Sequence, residues 1–180
     1  MDGLDSTQRG RATQKQILQA VVDRLIDYVD DYNTQNCFVS DQAVPSHFMG
    51  GRDFCTVSPG SGRFPTEFFT GAGTNSLVED ATIVITPGMV RRLDKPHKKD
   101  LVIVDLADSL VERKRQVLAA MVLDAWEPAI GTQPLTRDML SPVSATAPGD
   151  VRVGETEMIA LQLTFSTVFD WLLEGDGEAT

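Results

Sequence analysis

Ile159-Ala160-Leu161-Gln162-Leu163-Thr164-Phe165-Ser166-Thr167-Val168-Phe169-Asp170-Trp171-Leu172-Leu173 is the stretch whose reading decides the fold. One alternate set is Ile159, Leu161, Leu163, Phe165, Thr167, Phe169, Trp171 and Leu173; the other mixes Ala160, Gln162, Thr164, Ser166, Val168, Asp170 and Leu172. A period of two held this long predicts one β-strand of about 50 Å, far beyond ordinary strand length. Such a strand outruns its own sheet or bends through a bulge. Its far half, Thr167 to Leu173, leaves Phe169 and Trp171 exposed unless both helices lie over the whole strand. Aromatics exposed in a row mark an interface, so Phe169 and Trp171 are candidate strand-edge contacts.

Two amphipathic helices supply the other layer. Ile17, Val21, Leu25, Tyr28 and Tyr32 recur at helical spacing, with Leu18, Val22 and Val29 alongside and Asp23, Asp27, Asp30 and Asp31 mostly elsewhere on the wheel. Thr13 and Gln16 have the form of a capping box at its start, and the helix is expected to end near Asn33. The second helix is expected from Asp108 to Trp126, with Leu110, Val117, Met121 and Ala125 in one row and Pro128 as its stop. Leu101–Val104 reads equally as a strand or as a lead-in to that helix.

Shorter strands are expected at Phe54–Val57 and Glu79–Thr86, the second broken or bent at Pro87-Gly88 and continuing in Met89–Leu93. Residues 58–75 and 127–150 are rich in glycine and proline and read as long loops, the first carrying Phe64, Phe68 and Phe69. Residues 1–12 read as a flexible arm, 13–173 as one domain, and 174–180 as a disordered acidic tail. The order helix, strands, helix, long strand predicts an α+β fold: an antiparallel sheet with two helices on one face.

The chain has 180 residues, enough for one domain with a real core, and its formal charge is −10. That charge argues against a general nucleic-acid or anionic-membrane binder. No apolar run reaches the length of a membrane span, and the N-terminus has no signal-peptide core. His47 and His97 stand without a local ligand cluster, Cys37 and Cys55 match no metal pattern, and Ser58-Pro59-Gly60-Ser61-Gly62 matches neither a phosphate loop nor a nucleophile elbow. The two cysteines read as half-buried thiols, with one bridge between them left open. Neither a catalytic site nor a metal or other cofactor is expected.

One charge feature stands apart. Arg91, Arg92, Lys95, Lys98, Lys99, Arg113, Lys114 and Arg115 make up half of the sixteen Lys and Arg residues, and the remainder of the chain is acidic. Such a zone can dock head to tail on a second copy or on an acidic neighbour, touch phosphates, or simply be a solvated face.

An N-terminal amphipathic helix, a strand pair around a long loop, a second helix and the strand Ile159–Trp171 together resemble the tail-terminator and tail-completion proteins of long-tailed bacteriophages. The resemblance implies a structural virion protein without catalytic residues, assembled in the host cytoplasm and located in the tail or neck. It implies a homo-oligomeric ring, sixfold by that likeness, that caps the tail tube and joins it to the head–tail connector proteins. Its partners would be copies of itself, the tail tube protein, the connector, and DNA passing through the lumen without specific binding. An acidic lumen repels phosphates and lets DNA slide, and head-to-tail contacts close into rings when the rotation permits. Phe64, Phe68 and Phe69 are then candidate loop contacts to tail or connector. The alternatives are a monomeric protein-binding module and a small cytoplasmic hydrolase or transferase.

Overall fold

The computed structural model describes residues 6–44, 53–63, 76–90, 99–130, 133–136, 139–153 and 156–172. Helix α1 spans Ser6–Tyr28. Ile17, Leu18, Val21, Val22 and Leu25 form its buried stripe, while Asp23 and Asp27 face water. The helix thus starts well before the Thr13 capping box, so Ser6–Ala12 are helical rather than part of an arm. Those residues are polar or small, and a hydrophobic period cannot mark a helix that has no apolar face. Past Tyr28 the chain keeps one more helical bond, Val29 N–H to Leu25 O at 3.0 Å, and then turns. Asn33 makes that turn: its side-chain oxygen accepts from Gln35 N–H at 2.9 Å, and its carbonyl accepts from Cys37 N–H at 2.9 Å.

The sheet is built from β1 (Cys37–Val39), β2 (Phe54–Arg63), β3 (Ser76–Val90), β6 (Ser141–Ala145), β7 (Gly149–Val153), β8 (Thr156–Ala160) and β9 (Leu163–Leu172). A separate small hairpin pairs β4 (Ala129–Ile130) with β5 (Gln133–Pro134). Every pair in the main sheet is antiparallel except β1 with β2.

The stretch 156–172 is two strands, yet it keeps one register. Gly88 lies opposite Ala160 and Ile85 opposite Leu163, so two residues on each side, Thr86-Pro87 and Leu161-Gln162, face one another without a shift. The interruption has a local cause. Pro87 has no N–H to give the ladder, although its carbonyl still accepts from Leu161 N–H at 3.2 Å. The single long strand is therefore corrected to two in-line strands. The expected continuation past Pro87-Gly88 is present through Val90: β3 passes through them without a break and changes partner from β9 to β8. Gly88 is needed there, because a Cβ would overlap the ring of Phe54, its partner in β2.

β2 also runs further than its apolar start implies. It continues through Ser58–Arg63, with a register shift between Pro59 and Gly62, so this part of the 58–75 loop is strand. Likewise 127–150 is no free loop: β6 and the start of β7 line the outer side of β9 and β8. Prolines misled here because an edge strand tolerates them; Pro142 sits in β6, which also shifts register between Pro142 and Ser144.

Helix α2 spans Lys99–Val122, so Leu101–Val104 are helical. A 3-10 turn, Leu123–Ala125, ends it before Pro128, with Asp124 and Ala125 in left-handed conformation at φ 62° and 49°. Both helices pack on one face of the sheet. Ile17, Val21 and Leu25 of α1 and Leu110, Val117, Ala120 and Met121 of α2 join Cys55, Val57, Ala81, Ile83, Ile85, Leu163 and Phe165 in one core. On the other face Phe54 and Met158 gather Val44, Val90 and Val151 into a small cluster. Beyond it that face carries half-buried Thr82, Thr164 and Ser166, as suits a sheet with one wet side.

Candidate assembly surfaces

Three features could meet a partner: the basic turn of α2, the acidic surface of α1 with its groove, and the free end of the sheet. In the first, the three neighbouring cations have different fates. Arg113 is 8% exposed; its guanidinium donates to Asp31 and, at 3.2 Å, to Gln116 Oε1. It also stacks over the Tyr32 ring, 4.9 Å from the centroid. A guanidinium suits such a site, being planar, weakly hydrated and able to stack and donate together. Arg113 is therefore built into the α1–α2 contact and does not present its charge to a neighbour. Arg115 is exposed and donates to both Glu112 oxygens, at 3.0 and 2.9 Å for the closer bonds, and Glu112 holds its pKa above the ordinary value. Lys114 is half-buried. Lys99 opens α2, and Arg91, Arg92, Lys95 and Lys98 lie outside the described residues.

The acidic surface is held by Arg24. Its Nε donates to the Ala120 carbonyl at 3.0 Å, one of the carbonyls a helix end leaves open, and its Nη2 meets Asp124 at 3.4 Å. The same guanidinium lies 5.2 Å from the Tyr28 centroid and 5.8 Å from that of Trp126. This clamp fixes the segment after α2 against α1 and leaves a groove of about 430 Å³ between them. Asp23, Asp27 and Glu127 line it beside Trp126. Sequence periodicity placed these aspartates on the outer face of α1 but gave no sign that Trp126 and Glu127 would be brought beside them; that depends on the left-handed turn at Asp124-Ala125.

The free end of the sheet follows from the ladder. β2 reaches as far as Asp80 on one side of β3, and β6 as far as Ser166 on the other side of β9. Past those points, among the described residues, Ser76–Glu79 and Thr167–Leu172 extend the pairing as a two-stranded ribbon. Trp171 is opposite Leu77 and Phe169 opposite Glu79, at register positions that continue the row of Ala81 and Thr167. Phe169 and Trp171 thus belong to this ribbon. β6, by contrast, is a poor template for an added strand, because a proline and a register shift interrupt its edge. Phe64, Phe68 and Phe69 lie outside the described residues.

Among the described residues no group of three His, Cys, Asp or Glu side chains could hold a metal ion, and no helix is long and apolar enough to cross a membrane. His47 and His97 lie outside them. No family model matches this chain, and no curated protein matches it.

Proposed function

We propose that the chain is a structural assembly protein that forms a homo-oligomeric ring, in the manner of the tail-terminator and tail-completion proteins it resembles. On this reading it acts in the virion, between the tail tube and the head–tail connector. The observation that carries the reading is the two-stranded ribbon of β3 and β9. Among the described residues no third strand flanks this pair; two strands alone are marginal in water, and these concentrate Leu77, Val78, Val168, Phe169, Trp171 and Leu172 at the sheet end. A neighbouring subunit that packs on the ribbon supplies the missing layer. The acidic groove beside α1 and the Lys/Arg-rich 91–99 segment give complementary charges for a head-to-tail contact, the kind that closes rings.

Solution mass by light scattering, over a range of protein concentration and salt, tests the proposal. The expected species is a multiple of 19.7 kDa, six by the resemblance, that dissociates as salt rises. Phe169→Asp with Trp171→Asp is expected to give a folded monomer with unchanged helical circular dichroism. A wild-type monomer at every condition that also fails to bind isolated tail tubes would refute the ring. The groove with Trp126 then favours the second reading, a monomeric module that binds a basic partner segment.

A further inference from the structure

Cys37 and Cys55 are directly opposite one another where β1 runs parallel to β2. Both are free and fully buried, at 1% and 0% exposed. The Cys55 side chain lies close enough to Cys37 to raise its thiol pKa. Backbone bonds hold the two main chains on either side, Cys37 N–H to Asn33 O at 2.9 Å and Cys55 N–H to Asn36 O at 2.7 Å. Directly paired residues on adjacent strands have Cα atoms about 5 Å apart, inside the span of roughly 4.4–6.8 Å that a disulfide bridges. The paired strands therefore place the two cysteines within the Cα span of a disulfide.

We propose that Cys37 and Cys55 form a latent disulfide, a covalent redox site at which oxidation by a small-molecule disulfide staples β1 to the sheet. One cysteine, as thiolate, attacks a sulfur of the oxidant, forming a mixed disulfide and releasing one small thiol. The second cysteine loses its proton and attacks the protein sulfur of that mixed disulfide, expelling the second small thiol. Two protein thiols are oxidised, one small disulfide is reduced to two thiols, and the two protons leave with them. Cys37 thiolate is scarce while the site is closed, because the Cys55 side chain and burial push the Cys37 thiol up. Attack therefore begins when β1 lifts away. Among the described residues β1, three residues long, lies at the sheet edge with β2 as its partner strand, so it is a low-cost element to open. The bond then opposes the motion that allowed it, closing the loop 38–54 on itself.

The staple also touches the helix layer. The Tyr32 hydroxyl is buried near the Cys55 thiol without a hydrogen-bond partner, while Arg113 stacks on its ring. Oxidation consequently stiffens the junction where the end of α1, the middle of α2 and the sheet edge meet. This inference does not depend on ring formation.

The test incubates the full chain with oxidised glutathione at mildly alkaline pH, then alkylates it with iodoacetamide in denaturant before intact-mass and peptide-mass analysis. The expected product is a single chain lighter by two hydrogens, unalkylated, with a Cys37–Cys55 cross-linked peptide. Its Tm should rise by roughly 6–12 °C and return on adding dithiothreitol. Cys37→Ala and Cys55→Ala should each hold a stable glutathione adduct instead, without the Tm rise. Two alkylatable thiols persisting in wild type, even in urea just below the unfolding transition, would overturn the proposal. So would glutathione retained on both cysteines, or cross-links that join separate chains.

Discussion

Replacing Arg113 tests whether this cation belongs to the fold or to an interface. Its side chain is 9% exposed, whereas that of its partner Asp31 is 72% exposed, so the ion pair is screened and worth only about 0.5 kcal/mol. The stack over Tyr32 at 4.9 Å is desolvated and contributes about 1–2 kcal/mol. The buried alkyl stem adds about 1 kcal/mol by packing. Arg113→Ala should therefore lose about 2.5–3.5 kcal/mol. Arg113→Met keeps the stem and removes a desolvated charge, so it should lose about half as much. Asp31→Ala should lose about 0.5 kcal/mol, and Arg115→Ala should leave the unfolding midpoint unchanged. The assay is urea unfolding followed by circular dichroism at several protein concentrations. An intrachain contact predicts a midpoint shift for Arg113→Ala that does not vary with concentration. The reasoning is refuted if Arg113→Ala unfolds at the wild-type midpoint, or if its deficit appears only where the protein is oligomeric.

Alkaline pH probes the same junction. Burial raises the Tyr32 hydroxyl well above its ordinary 10.0, and the Cys55 contact with burial raises Cys37 above its ordinary 9.0. The unfolded chain releases these protons first, so the contribution of these two groups is constant below pH 9.0 and then falls by up to about 1.4 kcal/mol per pH unit per group. Unfolding midpoints measured from neutral pH upward should show this loss, and Tyr32→Phe should shallow it above pH 10.0. Gly88→Ala should cost about 1–3 kcal/mol through collision with Phe54, and Phe54→Leu should recover part of that in a double mutant. Thermal unfolding of the two single variants and the pair checks the coupling.

Much of the fold was legible in one-dimensional patterns, and the losses are physical. The alternation from Ile159 onward predicts a strand, and its in-line register bears out the unbroken periodicity. What interrupts it is Pro87, some seventy positions away, which no local pattern could set opposite Leu161. Both helices show as apolar stripes, but Ser6–Ala12 have no stripe to show. Ser141–Ala145 are exposed on both faces, so their strand exists through backbone pairing alone and leaves no side-chain period. At the candidate surfaces, Glu112-Arg113-Lys114-Arg115 reads as one charged turn. Only the arrival of Asp31 and Tyr32, from the turn after α1, separates Arg113 from its neighbours.

The shared register across Pro87 constrains how this sequence can change length. β8 and β9 take their alignment from the same strand, β3, with two residues between them on each side. One residue inserted or deleted between Ala160 and Leu163 would move all of β9 by one position and turn Leu163 and Phe165 from core to water, unless a bulge absorbed it. Length variation among descendants of this chain should therefore be purged at Leu161-Gln162, two residues that hold the phase of the whole sheet.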